Sequence, residues 1–309
     1  MSRFQRSWSL FKCSIEVIGA NRKLLLFPAI IGLLLCVMAM FFILPIAFWS
    51  TGHAYTESAH WQTVAQRWVT WDEGGNNVTV TPAGYVLLAG LYLLSTFLAT
   101  FFNAAFYSQI LNALRGQPVS ILGGLRLAST RMKAIVAWSL FTGLVGLVIK
   151  ALEERLGIIG RGVIKLIGIA WSVASVFVVP AIVLDPGTAN PLHLLKTSAA
   201  TLKKTWGESL LGYLGVQFGG LLFFVGSLVL FGLTIWISLA CNTFWIVGIA
   251  TVVWVVSLVA YMYLLNVASQ VYLGALYLYA AEGTVPGPFE REQMNMAWKF
   301  KSGSKPARG

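Results

Sequence analysis

Six apolar stretches, at about 24–49, 83–108, 134–149, 162–184, 209–237 and 245–281, divide this chain and hold few charges. A helix needs about 20 apolar residues to cross the hydrocarbon of a bilayer. The first, second and fifth stretches reach that length easily, and the third is short. The sixth would measure roughly 55 Å as one helix, so it must tilt, break or project beyond the bilayer. Composition agrees: the 309 residues are 57% hydrophobic and 11% charged, against about 25% charged in a soluble domain. The reading is all-α, a polytopic transmembrane helical bundle of about six spans. A water-soluble enzyme is excluded on the same grounds. Residues 1–282 read as a single transmembrane domain and 283–309 as a flexible basic tail.

Charge sums orient the spans. Residues 1–23 carry five bases and one acid, 50–82 one base and three acids, and 109–133 four bases and no acid. Basic segments stay cytoplasmic. The N-terminus is therefore expected inside, 50–82 outside and 109–133 inside. The tail after Ala281, with five bases and three acids, returns to the cytoplasm. The segment between the third and fourth stretches, Lys150-Ala-Leu-Glu-Glu-Arg155 followed by Arg161 and Lys165, holds four bases and two acids. Crossing twice there breaks the rule, and a re-entrant hairpin would place charge within the membrane. Pairing of Glu153 or Glu154 with Lys150 or Arg155 softens both cases, and hydrophobic length favours two crossings.

Three segments repeat one pattern. Phe4, Trp8, Phe11, Ile15 and Ile18 fall on one helical stripe; so do Ile121, Leu125, Ala128 and Met132, and so do Leu192, Leu195, Ala199, Leu202 and Trp206. Lys12 flanks the first, Arg126 and Lys133 the second, and Lys196, Lys203 and Lys204 the third. Such helices, at about 3–20, 119–133 and 190–206, are expected in the plane of the cytoplasmic membrane surface, facing anionic head groups. Trp8 and Trp206 would join these bases as anchors. Pro118 and Pro191 precede or open the second and third helices, where a missing N–H is harmless. The alternative is that these helices pack on the ends of the bundle. The unit reads as one interfacial helix followed by two spans, three times over.

Chemistry-bearing motifs are sparse. The chain has no P-loop, no dinucleotide fingerprint after a strand, no H-E-x-x-H and no nucleophile elbow. No catalytic residue, cofactor or metal is assigned. Cys13, Cys36 and Cys241 lack the spacing of a disulfide framework or zinc site. His53, Glu57 and His60 have helical spacing but read as two solvated histidines beside one acid, and His193 as a solvated side chain. Trp61, Val64, Trp68 and Trp71 suggest a helix resting on the outer leaflet. Gly212, Gly215, Gly219 and Gly226 suggest close helix packing, as do Gly168, Ser172 and Ser175. Asn266, Ser269 and Gln270 share a face of the last span, with Asn103 in the second and Gln217 in the fifth. In hydrocarbon each needs a partner. They are candidates for inter-helix hydrogen bonds, a polar cavity or a lipid contact. No basic stripe with stacking aromatics points to nucleic acid.

The runs Arg6-Ser-Trp8-Ser-Leu-Phe-Lys12, Leu24-Leu-Leu-Phe27-Pro28, Ala151-Leu-Glu-Glu-Arg155-Leu-Gly157, Phe177-Val-Val-Pro180 and Thr205-Trp206-Gly-Glu208 together resemble an uncharacterised family of bacterial multi-pass membrane proteins. The resemblance spans roughly 1–282 and implies a bacterial cytoplasmic membrane with no assigned activity. The expected function is that of a non-catalytic, lipid-contacting structural or accessory component. The alternative is a small-molecule or lipid permease using polar residues of the last span.

Overall fold

The computed structural model describes residues 3–71, 78–205, 209–241, 243–283 and 285–289, with the side chains at 3–10, 71, 158–159, 204–223 and 246 outside that description. Helices dominate. They are α1 (Arg3–Ala20), α2 (Leu26–Ala47), α3 (Ser58–Gln66), α4 (Pro82–Leu114), α5 (Ile121–Thr130), α6 (Met132–Arg155), α7 (Ile158–Ala174), α8 (Val178–Leu184), α9 (Pro191–Thr205), α10 (Ser209–Ala240) and α11 (Phe244–Glu282). A 3-10 turn, Arg22–Leu25, feeds α2. A two-stranded antiparallel hairpin, β1 (Val69–Trp71) with β2 (Val78–Val80), precedes α4 and pairs Thr70 with Thr79. Among the described residues, five helical segments are long and apolar enough to cross a membrane: Arg22–Ala47, Pro82–Leu114, Met132–Arg155, Gly160–Leu184 and Val247–Glu282. In the 32-residue α10, residues Phe224–Ala240 form a shorter apolar helix. That apolar character marks a membrane protein.

The two longest helices organise the molecule. α4 has 33 residues and α11 has 39, or about 50 and 58 Å at 1.5 Å per residue. Each is largely exposed along its N-terminal half, where Tyr92 and Leu93 meet α6 at Gly146 and Gly143 and Trp254 meets Phe231, and packed along its C-terminal half. On α4 the buried run is Ala104–Leu111, and on α11 it reaches from Leu265 to Leu278. Against these ends lie α1, α5, α8 and α9, with Val17, Ile18, Ala128, Phe177, Ile182, Leu194 and Leu202 filling one core. Phe27 of α2 stacks on Phe106 at 5.5 Å, and Phe177 meets Tyr277 at 5.6 Å. We call this the packed end. At the opposite, open end most large side chains stand exposed, α10 and α11 stay together through the stacked rings of Phe231 and Trp254 at 4.7 Å, and α3 and the hairpin bridge α2 to α4.

Two glycines permit the close approaches at the packed end. A Cβ at Gly124 would lie 2.8 Å from the Ala105 carbonyl oxygen, and one at Gly274 would lie 2.8 Å from Ile110 Cγ2. Their absence lets α5 and α11 press onto α4. The glycines singled out for packing in the sequence behave differently. A Cβ at Gly226 or at Gly168 would meet nothing within 4 Å, because both stand on surfaces that no neighbouring helix approaches. Gly212, Gly215 and Gly219 lie outside the described side-chain surroundings.

The fourth apolar stretch is broken rather than continuous. Pro180 has no N–H to give the carbonyl of Val176, and α7 ends at Ala174 before α8 begins at Val178. The third stretch is longer than its apolar length: α6 continues through Lys150-Ala-Leu-Glu-Glu-Arg155. There Glu153 pairs with Lys165 of α7 at 3.9 Å, not with Lys150 or Arg155.

Candidate functional site

The packed end is assembled by buried polar side chains that close the loose backbone groups of helix termini. Gln109, buried on α4, accepts from the Ser120 N–H at 2.8 Å and donates to Ser108 Oγ at 3.1 Å. Ser120 in turn caps α5 by accepting from the Gly123 N–H. Asn190 caps α9, accepting from the Leu192 N–H at 3.0 Å. Ser198 of α9 donates to the Ala174 carbonyl at 2.6 Å and accepts from the Phe177 N–H at 3.0 Å. These are the two groups that the break between α7 and α8 sets free, since Val176 turns to Val173 and Val178 to Ser175. One hydroxyl thus satisfies both sides of the interruption. Arg115 at the end of α4 forms an ion pair with Glu282 at the end of α11. Arg131, between α5 and α6, reaches the Val183 carbonyl at 3.4 Å.

The three stripe-bearing helices turn their apolar faces onto this core. Ile18, Ala128, Leu194 and Leu202 are buried, and Phe11, Ile15, Ile121, Leu125 and Leu195 pack partly against it. The bases face outward: Lys12, Arg126, Lys133, Lys196 and Lys203 are exposed. Trp8 and Lys204 lie in helices with side chains outside the described set, and Trp206 lies outside the described residues. Two large apolar side chains stay on the outer face beside the bases. Leu122 is 76% exposed and Leu192 is 55% exposed, each one helical turn before a base, Arg126 and Lys196.

The polar residues of the last span do not form one surface. Ser269 is buried and donates to the Leu265 carbonyl of its own helix at 2.8 Å. Gln270 receives the hydroxyl of Tyr107 from α4. Asn266, one turn toward the open end, is exposed on a shallow groove of about 490 Å³ with Pro28, Leu258, Met262 and Tyr263. α11 leaves the packed core at that level, so residues that share a helical face differ in depth. The tyrosine of this groove was missed in the sequence. The Tyr263 hydroxyl accepts from the Ala29 N–H at 3.1 Å and donates to the Leu25 carbonyl, two groups that an uninterrupted helix would pair together. Asn103 is half-buried on α4, and Gln217 lies in α10 with its side chain outside the described set.

The open end holds a different arrangement. His60 is fully buried, not solvated: its Nδ1 meets Thr51 Oγ at 2.7 Å, and its Nε2 donates to the Ala47 carbonyl at 3.0 Å. Tyr55 and Trp61 pack edge-on against its ring. His53 and Glu57 pair with each other at 3.5 Å on the surface, so the three do not converge on one point. Among the described residues no group of three or more metal-ligating side chains gathers. Between the end of α2 and α3 lies a cavity of about 490 Å³ lined by Ile46, Trp49, Thr51, Gln66, Arg67 and Trp68, among others. The Arg67 guanidinium carbon sits 4.4 Å above the Trp49 ring. In the sequence Arg67 is the one base of residues 50–82, and that isolation was the available signal for it.

Comparison with known proteins yields a family and no activity. No curated protein and no solved structure matches the chain. The profile of a family of unknown function, DUF6159, matches residues 82–287, from the first turn of α4 to the residues just past α11. That region carries α4, α5, α8, α9 and α11, most of the packed end, and the chain belongs to this family.

Proposed function

We infer that the protein is a non-catalytic, multi-pass component of the bacterial cytoplasmic membrane that engages anionic lipid at its packed end. In this reading the chain crosses six times with both termini cytoplasmic, and the packed end lies at the inner surface. The observation that carries it is the outward pairing of a large apolar side chain with a base one turn later. It occurs at Leu122 and Arg126 on α5 and at Leu192 and Lys196 on α9. Trp8 and Lys12 have the same spacing in α1. A residue pair of this kind suits the head-group boundary, where the apolar group dips among acyl chains and the base meets phosphate. Attraction to an anionic surface adds about 1 kcal/mol for each base. The apolar stripes stabilise the packing on the bundle, so lipid would meet only the rim that each helix leaves uncovered.

A nitroxide placed at position 122 or 192 tests this. In nanodiscs of phosphatidylglycerol and phosphatidylcholine, the label is expected to collide with dissolved oxygen more than with a water-soluble nickel chelate. Arg126→Glu with Lys196→Glu should shift both labels toward the chelate. Labels dominated by the chelate in the unaltered protein would end the reading.

A further inference from the structure

We propose that the cavity between α2 and α3 is a phospholipid-phosphate site at the open end, with Arg67 as its anchoring cation. Four observations converge there. First, the cavity sits on the last turn of α2 at Ile46. α2 has 22 residues, about 33 Å, so its two ends are separated by the thickness of a hydrocarbon core, about 30 Å. A pocket at that point lies where lipid head groups lie.

Second, Arg67 is held over the Trp49 ring. Stacking occupies the face of a guanidinium and leaves its in-plane N–H donors available. Among the described residues none of those donors has a protein acceptor, whereas Arg115 and Arg131 at the packed end each have one. A planar fork of donors fits a phosphate through two parallel hydrogen bonds. Third, the neighbouring groups are neutral donors: the Gln66 amide and the Ser50 hydroxyl, both on the cavity wall. Among the described residues no carboxylate lines it. Fourth, the cavity continues into apolar surface. Ile46 and Trp68 form part of its wall, and Ile43 of α2 and Phe48 just past its end are exposed. A free phosphate ion would leave that track unused, whereas the acyl chains of a phospholipid would lie along it.

This site is separate from the rim of α5 and α9, at the other end of the molecule, and does not depend on the lipid contact inferred there. Detergent-purified full-length protein titrated with dihexanoyl-phosphatidylglycerol, with bound lipid counted by native mass spectrometry, tests it. Arg67→Gln should lose one bound lipid and weaken its binding about tenfold or more. Arg67→Lys, which keeps the charge but not the fork, should fall between. Lys196→Glu with Lys203→Glu should leave this lipid in place. Retention of the full lipid count in Arg67→Gln would overturn the site. Inorganic phosphate displacing the lipid at equal concentration would show that the pocket takes a free anion, and would overturn the assignment to lipid. Arg67 is exposed, so both of its substitutions leave the core packing untouched; the helical circular dichroism should not change.

Discussion

The two halves of α11 differ in residues and in surroundings. From Phe244 to Leu264 large side chains such as Trp245, Val252 and Val256 stand exposed; from Leu265 to Leu278 most side chains are buried. α4 divides the same way, with Val86 and Leu88 bare and Phe106 and Ile110 enclosed. Hydropathy does separate the halves, in the sense opposite to a water-facing protein: the most apolar part of each helix is the exposed part, and the packed half of α11 carries Asn266, Ser269 and Gln270. In water, leaving an apolar chain exposed costs roughly 25 cal/mol per Å². Among lipid tails that penalty disappears, and a helix gains little by burying leucine against its neighbour. Strongly apolar halves left exposed beside packed, more polar halves suit a membrane protein. The polar groups agree: Gln109, Ser198 and Gln270 are paired at the packed end, whereas Asn266, where the packed core ends, is exposed.

This contrast can be broken by substitution, measured as stability in detergent micelles or bicelles. Phe106→Ala, which removes a buried ring that stacks on Phe27, is expected to cost about 3–5 kcal/mol. Ser198→Ala leaves the Ala174 carbonyl and the Phe177 N–H without a partner and should cost about 1–3 kcal/mol. Because the bend in the fourth apolar segment depends on that hydroxyl, hydrogen exchange at Phe177 should also quicken. Tyr263→Phe removes the bridge between α11 and the first turn of α2, with an expected loss of about 0.6–1.7 kcal/mol. Phe41→Ala, on an exposed face of α2, should stay within about 0.5 kcal/mol. A loss at Phe41 as large as that at Phe106 would mean that the open end is enclosed by something else and would erase the contrast.

The helices and most of their limits could be read from the chain because apolar length and the capping residues Thr81, Ser120 and Asn190 are local signals. Pro180 was a local signal too, and the break before it was legible in principle. Other features depend on what lies opposite. The stripe of α9 announces Leu192, Leu195, Ala199 and Leu202 as one apolar face, but the fold buries Leu202, leaves Leu192 exposed and puts Leu194, which that stripe omits, in the core. His60 carries no periodicity that reveals its burial; Tyr55 and Trp61 enclose it through the turn that precedes α3. The shared face of Asn266, Ser269 and Gln270 was correctly spaced, yet spacing around a helix says nothing about depth along it. Arg67 was visible as a solitary base, but its stacking on Trp49 requires the chain to double back after α2.

Ser198 has a mechanical consequence. One oxygen atom fastens α9 to both lips of the gap between α7 and α8, so the tilt of α9 and the angle of that elbow cannot vary independently. A force that lifted α9 from the molecule would strip both partners from the Ala174 carbonyl and the Phe177 N–H at the same moment, loosening an elbow that Pro180 still keeps from closing into one continuous helix.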